Sequence, residues 1–180
     1  EEVLPGLSWS LPPLVVTDPP YGTGGWRRLL SGNGRDPSGS LVREDWDSGS
    51  VEWLGLVPLE AVLTFWPAAR TSALLVEANR LGLRKHRCVY MRKLDPKPMP
   101  GGRCRWSVEP IWILSRDGFL LMGGDDVIDT STPRMGRDGD ATGHPYQKPL
   151  EVMLWLLAKT SAPLVVDLFA GSGTTLVPAK

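Results

Sequence analysis

Short apolar runs alternate with polar stretches rich in glycine and proline along the 180 residues of the chain. Leu14-Val15-Val16-Thr17 is continuously apolar, partly β-branched, and stops at Asp18; it predicts a strand buried on both faces, as in parallel sheets. Gly22-Thr23-Gly24-Gly25 and the glycine- and serine-rich segment 31–40 predict a mobile loop, and a long loop beside a polar motif is more often functional than filler. From Trp53 to Leu63 the apolar spacing predicts a helix interrupted at Pro58. Ala61 to Trp66 is the favoured next strand, with Ala73-Leu74-Leu75-Val76 as the alternative. A helix from about Ala68 to Leu81 follows, closed by Gly82. Cys88-Val89-Tyr90-Met91 and Pro110-Ile111-Trp112-Ile113-Leu114 predict two more strands, the second turned at Asp117-Gly118. Lys97 to Gly102 reads as a loop and Asp125 to Gly143 as a polar, irregular stretch. Pro149 opens an amphipathic helix with Leu150, Met153, Leu154 and Leu157 on one face. Leu164 to Phe169 then predicts a strand that runs into glycines. Strands alternating with helices predict an α/β fold with a mostly parallel sheet.

Composition bounds this picture. Hydrophobic residues make up 42% and charged residues 22%, which suits one domain with a real core. No apolar run approaches bilayer length, and Glu1-Glu2-Val3-Leu4-Pro5 lacks the basic start of a signal peptide. Cys88 and Cys104 show neither metal spacing nor a disulfide framework, and two histidines are few for a transition-metal site. These features predict a soluble protein of a reducing cytosol. The formal net charge is zero, yet nine of the basic residues lie between Arg80 and Arg105 against Asp95 alone. Such a segment either meets phosphates or is a solvated helix end and loop. The absence of a starting methionine, and an end five residues after Thr175, predict a segment of a longer reading frame.

Two motifs carry chemistry. In Asp18-Pro19-Pro20-Tyr21 the prolines fix the backbone after a buried strand, so that the Asp18 carboxylate and the Pro19 carbonyl point outward together. Two acceptors side by side suit an exocyclic amino group, and Tyr21 offers a flat face to an aromatic base. The bland alternative is an Asp-Pro turn with an exposed tyrosine. In Asp167-Leu168-Phe169-Ala170-Gly171-Ser172-Gly173-Thr174-Thr175 a strand meets glycines that let backbone approach a ligand closely. The motif lacks the Gly-Lys-Ser/Thr of a phosphate loop and the three-glycine spacing of dinucleotide binders, and a structural turn is its bland reading. Asp167 suits a positively charged ligand end. Between them stands Gly143-His144-Pro145-Tyr146-Gln147-Lys148-Pro149.

The three stretches, in this order, resemble the β-class DNA amino-methyltransferases, which methylate adenine N6 or cytosine N4. Val108-Glu109-Pro110-Ile111-Trp112-Ile113 is similar to a late strand of that family. The resemblance implies a Rossmann-like S-adenosylmethionine-dependent methyltransferase sheet over residues 1–180, incomplete on the cofactor-ribose side. It implies that Asp18 and the Pro19 carbonyl accept hydrogen bonds from the target amino group, with Pro20 stiffening the loop and Tyr21 stacking on a base rotated out of DNA. Asp167, Phe169, Gly171, Gly173, Thr174 and Thr175 would line the S-adenosylmethionine pocket, with His144, Gln147 and Lys148 near its methionine end. Arg84, Lys85, Arg87, Arg92 and Lys93, within the basic segment 80–105, would contact DNA, and the loop 123–143 offers further room for target recognition. A cytoplasmic enzyme of the restriction–modification kind, encoded by a bacterium or phage, is the implied setting.

The sequence also departs from that family. The acidic residue that binds the cofactor ribose would stand on a strand beyond Lys180, Pro178 sits early in the last expected helix, and no large target-recognition insertion is visible. Asp rather than Ser at position 18 leans towards adenine. Cytosine-N4 transfer, a non-catalytic nucleic-acid-binding remnant, and action on RNA or protein are the alternatives.

Overall fold

In a computed structural model of the chain, the residues described are 13–21, 26–28, 41–43, 49–56, 60–96, 107–116, 123–131 and 147–178. The elements along the chain are β1 (Leu14–Thr17), β2 (Trp26–Arg28), β3 (Leu41–Arg43), β4 (Ala61–Phe65), α1 (Thr71–Arg80), β5 (Lys85–Lys93), β6 (Val108–Ser115), β7 (Val127–Thr130), α2 (Leu150–Ala158) and β8 (Val165–Val166). β1 is buried at all four positions because it has a neighbour on each side. It pairs in parallel with β4, Leu14 opposite Ala61, and with β8, Leu14 opposite Val165. The six-stranded order is β7-β5-β6-β4-β1-β8. Within it β6 runs against its neighbours, pairing antiparallel with both β4 and β5. The mostly parallel α/β sheet predicted from the sequence is therefore present, and the reversed strand brings its amino end to the edge where its neighbours end.

Both faces of the sheet are covered. Leu14, Val16, Leu63, Phe65, Met91 and Ile113 pack on one face with Val152, Met153 and Leu156 of α2. On the other, Val15, Val62 and Leu114 pack with Leu74 and Ala78 of α1 and with Trp53 and Leu54 of a single 3-10 turn (Glu52–Gly55). Among the described residues no helix is long and apolar enough to cross a membrane.

Several elements differ from the sequence expectation. The helix expected from Trp53 is only that 3-10 turn, and Pro58 lies outside the described residues. Val127–Thr130, expected to be irregular, is a strand parallel to β5, Tyr90 opposite Val127. In α2 the buried positions are Val152, Met153 and Leu156, while Leu154 is exposed. The helix is apolar almost all round, so spacing alone selects no face. Pro149 is its N-cap rather than its first helical residue. β8 is two residues long, shorter than the predicted Leu164–Phe169. Between the two parts of the loop expected after Tyr21 lies β2, which pairs antiparallel with β3 beyond that loop; segments 29–40 and 97–106 and the Asp117-Gly118 turn lie outside the described residues.

The end of α1 follows the expectation closely. Gly82 has φ +83°, the Leu83 N–H donates to the Ala78 carbonyl at 2.9 Å, and the Gly82 N–H donates to Asn79 at 3.0 Å. That bond pair, with Leu83 and Ala78 both buried, is a Schellman cap that needs a residue at ease in the left-handed region. Gly55, by contrast, has neither a positive φ nor an atom within 4 Å of an added Cβ. Gly82→Ala is expected to lower the unfolding free energy by about 1–2 kcal/mol, and Gly55→Ala to leave it nearly unchanged. Urea denaturation of both variants checks this, and equal losses would contradict the cap.

Candidate active site

Parallel pairing of β1 and β8 brings the two chemical motifs together, since each begins where its strand ends. Asp18 follows β1 directly and Asp167 follows β8. The Thr17 hydroxyl donates to Asp167 Oδ1 at 2.7 Å, and the Phe169 N–H donates to the same oxygen at 3.0 Å. Asp167 thus closes its own turn and ties it to β1. Gly171 and Gly173 have φ of +51° and +75°, so both occupy backbone that side chains rarely adopt. Residues 171–176 form consecutive tight turns, with Gly173 N–H to Ala170 at 2.6 Å and Leu176 N–H to Gly173 at 3.0 Å; the glycine turn was expected, whereas the resemblance implied a helix from Thr174 onward. Thr174 and Thr175 are buried beneath the turn. A cleft runs from Asp18 past Gln147 and Lys148 to Asp167, Phe169 and Gly171.

At the other end of the cleft a charged cluster surrounds Lys148. Its ammonium donates to Tyr21 Oη at 3.0 Å and to Glu109 Oε2 at 3.1 Å, and pairs with Asp18 Oδ2 at 3.2 Å. It also lies 4.7 Å from the centre of the Phe65 ring. The Tyr21 hydroxyl donates to Asp18 Oδ1, and Lys93 pairs with the second oxygen of Glu109. Tyr21 is further held by its carbonyl, which accepts from Arg70 at 2.6 Å, and by edge-on packing against Trp66. The side chains of Lys148, Asp18 and Glu109 are only 13%, 25% and 27% exposed, so these charges face each other with little water between them.

Burial pushes the Asp18 carboxyl above its ordinary value, only partly offset by Lys148 and Tyr21. Burial works in the same direction at Glu109, but there Lys148 and Lys93 outweigh it and hold the carboxyl below its ordinary value. For Lys148 burial opposes the charge, yet the surrounding Tyr21, Asp18 and Glu109 oxygens hold its ammonium well above the ordinary lysine value. Burial, with help from Asp18 and Glu109, raises the Tyr21 phenol well above its own. At neutral pH the cluster therefore holds a charged lysine and a neutral tyrosine.

The remaining sequence candidates are spread more widely. Pro19 is buried and Pro20 half-buried beside Asp18. His144 lies outside the described residues. Arg92 is paired with Asp129 through two bonds of 2.6 and 2.5 Å. Lys93 is committed to Glu109. Lys85 shares its row with Ser115, Ala61 and Leu14, four residues short of Asp18. That places Lys85 about 13 Å back along the strands, towards the opposite edge of the sheet, and Arg87, in the row of Val16, about 7 Å back. The described residues of the basic segment are thus strung along β5 rather than gathered at the site's edge. Sequence reasoning missed Glu109 and Arg70 as parts of the site. An isolated acid entering an otherwise apolar strand was the available signal for Glu109. Among the described residues, no group of three or more His, Cys, Asp or Glu could hold a metal ion.

Solved structures share this fold. M1.HpyAVI in complex with SAM is 21% identical, with 91% of this chain and 74% of that one covered at a TM-score of 0.55. M1.HpyAVI alone is 18% identical over 92% and 74%, at 0.56. TTHA0409 of Thermus thermophilus, provisionally assigned as a DNA modification methylase, is 20% identical over 99% and 80%, at 0.54. The chain has the Rossmann-like α/β fold of S-adenosylmethionine-dependent methyltransferases. No protein-family model matches the sequence, and no curated protein is significantly similar to it.

Removing Lys148 leaves two carboxylates buried without their shared cation. Lys148→Met is expected to destabilise the protein by about 3 kcal/mol near neutral pH. Without Lys148 both carboxyls lose a cation that holds them down, and Asp18, already raised by burial, rises further, so the variant recovers stability as pH falls through its value. Wild type gains less from Asp18, whose rise Lys148 partly offsets, and loses the Glu109 contribution as pH falls through its lowered folded value. The gap between the two proteins therefore narrows from neutral pH to about pH 5. Urea denaturation at both pH values measures it, and a constant gap would refute the shared-cation account.

Proposed function

We propose that the chain is an S-adenosylmethionine-dependent methyltransferase acting on an exocyclic amino group of a DNA base, adenine N6 in preference to cytosine N4. The observation that carries this reading is one cleft lined at one end by Asp18 and Lys148 and at the other by Asp167 and the glycine turn. Their strands are adjacent and their carboxylate loops are bridged by Thr17. The preference for adenine rests on the resemblance and on Asp at position 18.

The residues present fit the cofactor. Two left-handed glycines give a bare backbone against which a nucleoside can lie, and Asp167 supplies negative charge within the same cleft. When bound, S-adenosylmethionine supplies a methyl group made electrophilic by a sulfonium. The chain's own task is to aim a poor nucleophile. The amino nitrogen of an aromatic base shares its lone pair with the ring, and acceptors on its two N–H bonds draw it towards a tetrahedral shape. Asp18 and the Pro19 carbonyl take that role, fixed by the two prolines. A nitrogen that takes the methyl, the carbon–sulfur bonding pair leaving on sulfur, would become positive, and the Asp18 carboxylate would stabilise that charge. The nitrogen then gives up a proton, through Asp18, to water.

Tyr21 occupies part of this machinery in the free protein, because its hydroxyl donates to Asp18 Oδ1. An incoming amino group takes over that oxygen, and the Tyr21 ring lies against the base that carries it. Arg92, exposed on β5 near the edge where β1 and β4 end and paired with Asp129, is the described cation assigned to DNA phosphate; Arg84 and Lys85 lie towards the opposite sheet edge, with Arg87 between, and contribute less.

The test is transfer of labelled methyl from S-adenosylmethionine to duplex and single-stranded DNA, followed by digestion to identify the methylated base. N6-methyladenine is expected; normal cofactor binding without incorporation would sink the reading. Asp18→Ala is expected to lower kcat by about a hundredfold or more with little change in cofactor affinity. Because ionised Asp18 is required and burial raises its pKa, activity should fall on the acid side at a pH above the ordinary aspartate value of 3.8.

A further inference from the structure

Glu109 stands outside both motifs, yet among the described residues it is the one carboxylate besides Asp18 that lies on the Lys148 ammonium. Its strand, β6, runs opposite to its neighbours, so a residue near the strand's beginning reaches the edge where β1 and β4 end. There it takes Lys148 on Oε2 and Lys93 on Oε1. The result is a row of alternating charge, Lys93, Glu109, Lys148 and Asp18, drawn from β5, β6, the segment before α2, and the loop after β1. Tyr21, Glu109 and Asp18 together offer an acceptor to each of the three Lys148 N–H donors, so the ammonium is held in place rather than swinging with solvent.

We infer that Glu109 is a positioning residue for the methyl transfer: by sharing the Lys148 ammonium, it keeps that cation from neutralising Asp18 alone. The inference rests on the proposed function and extends it to a residue outside the motifs. With Glu109 charged, the four-group row is neutral. With Glu109 uncharged it carries one excess positive charge, beside a nitrogen that itself becomes positive as it is methylated. Such a change penalises the transition state more than the bound ground state, and it falls on kcat rather than on cofactor binding. The other charged and titratable groups facing Asp18, among the described residues, are Tyr21 on its own loop, Lys148 before α2, and Asp167 across the cleft; Arg70 faces the Tyr21 carbonyl. Of these groups, only Glu109 both shares the Lys148 ammonium and sits between two lysines.

Two readouts test this. The first needs neither cofactor nor DNA: the Asp18 carboxyl carbon is titrated by NMR in wild type, Glu109→Gln and Lys93→Met. The amide keeps the shape and removes the charge, so the Asp18 midpoint should move to lower pH in Glu109→Gln. Lys93→Met strips the cation from the far side of Glu109 and should move the midpoint up. These opposite signs keep the test decisive even where one variant folds poorly. An unchanged midpoint, or both variants moving it the same way, would overturn the inference.

The second readout is kinetic. Glu109→Gln should lower kcat about tenfold with the KM for S-adenosylmethionine within about twofold. It should also shift the acid limb of the pH profile downward, and Glu109→Asp should restore most of the loss. Glu77→Gln, which alters an exposed pair with Arg80 away from the site, should change none of these. A midpoint shift with kcat unchanged would overturn the positioning role. A midpoint shift in a wild-type protein that transfers no methyl would instead overturn the proposed reaction and leave the Glu109–Asp18 coupling supported.

Discussion

A protonated amine taken out of water has to be ringed by oxygen, and Lys148 draws that ring from separate parts of the sheet. Asp18 comes from the end of β1, Glu109 from the start of β6 and Tyr21 from the loop after Asp18, while the Phe65 ring of β4 lies close by. Each partner is itself only partly hydrated, so removing any one would leave charge uncompensated in a poorly solvated place. The constraint therefore works both ways: the lysine fixes three strand ends relative to one another, and the strand ends keep the lysine charged. Buried ion pairs of this kind can often be replaced by apolar side chains without loss of stability. Their place at the mouth of a cleft, with titrations pushed in opposite directions, is better accounted for by chemistry than by folding.

Topology makes the cluster coincide with the glycine turn. Thr17 and Asp167 are 150 residues apart in sequence yet hydrogen-bonded, because β1 and β8 are neighbours running the same way. Loops that follow parallel strands open on one edge of the sheet, which is where ligands of open α/β sheets bind. The reversed β6 adds to that edge from its opposite end. One edge thus gathers an acceptor pair, a cation between two acids, and a bare glycine backbone.

The elements legible in the sequence were those with a strong local cause. β1 is a continuous apolar run bounded by Asp18 and two prolines, and it is buried as such a run should be. The end of α1 was marked by Gly82, whose left-handed backbone the cap requires. Both chemical motifs stand at strand ends, where their composition placed them. Other elements lacked such a cause. Val127-Ile128-Asp129-Thr130 is too short and too mixed to announce a strand, and it becomes one because the edge of β5 offers it hydrogen-bond partners. The buried side of α2 was set by where the sheet lies, since the helix offers apolar residues on nearly every side. The basic segment looked continuous in sequence, but among its described residues the length of β5 carries Lys85 away from Arg92, and the cluster absorbs Lys93.

Taken alone, the amino-acid sequence determined the α/β class, the buried strand β1, and the two polar motifs that stand at strand ends. These follow from local chemistry: proline and glycine dihedrals, apolar runs, and the kinds of side chain that follow them. Tertiary structure decided which of those residues meet. It brought Asp167 to Thr17, and it reversed β6 so that Glu109 shares a cation with Asp18. The reason is physical: strand order and direction are set by the packing of both sheet faces, and a charge's partners are set by what else is kept from water beside it.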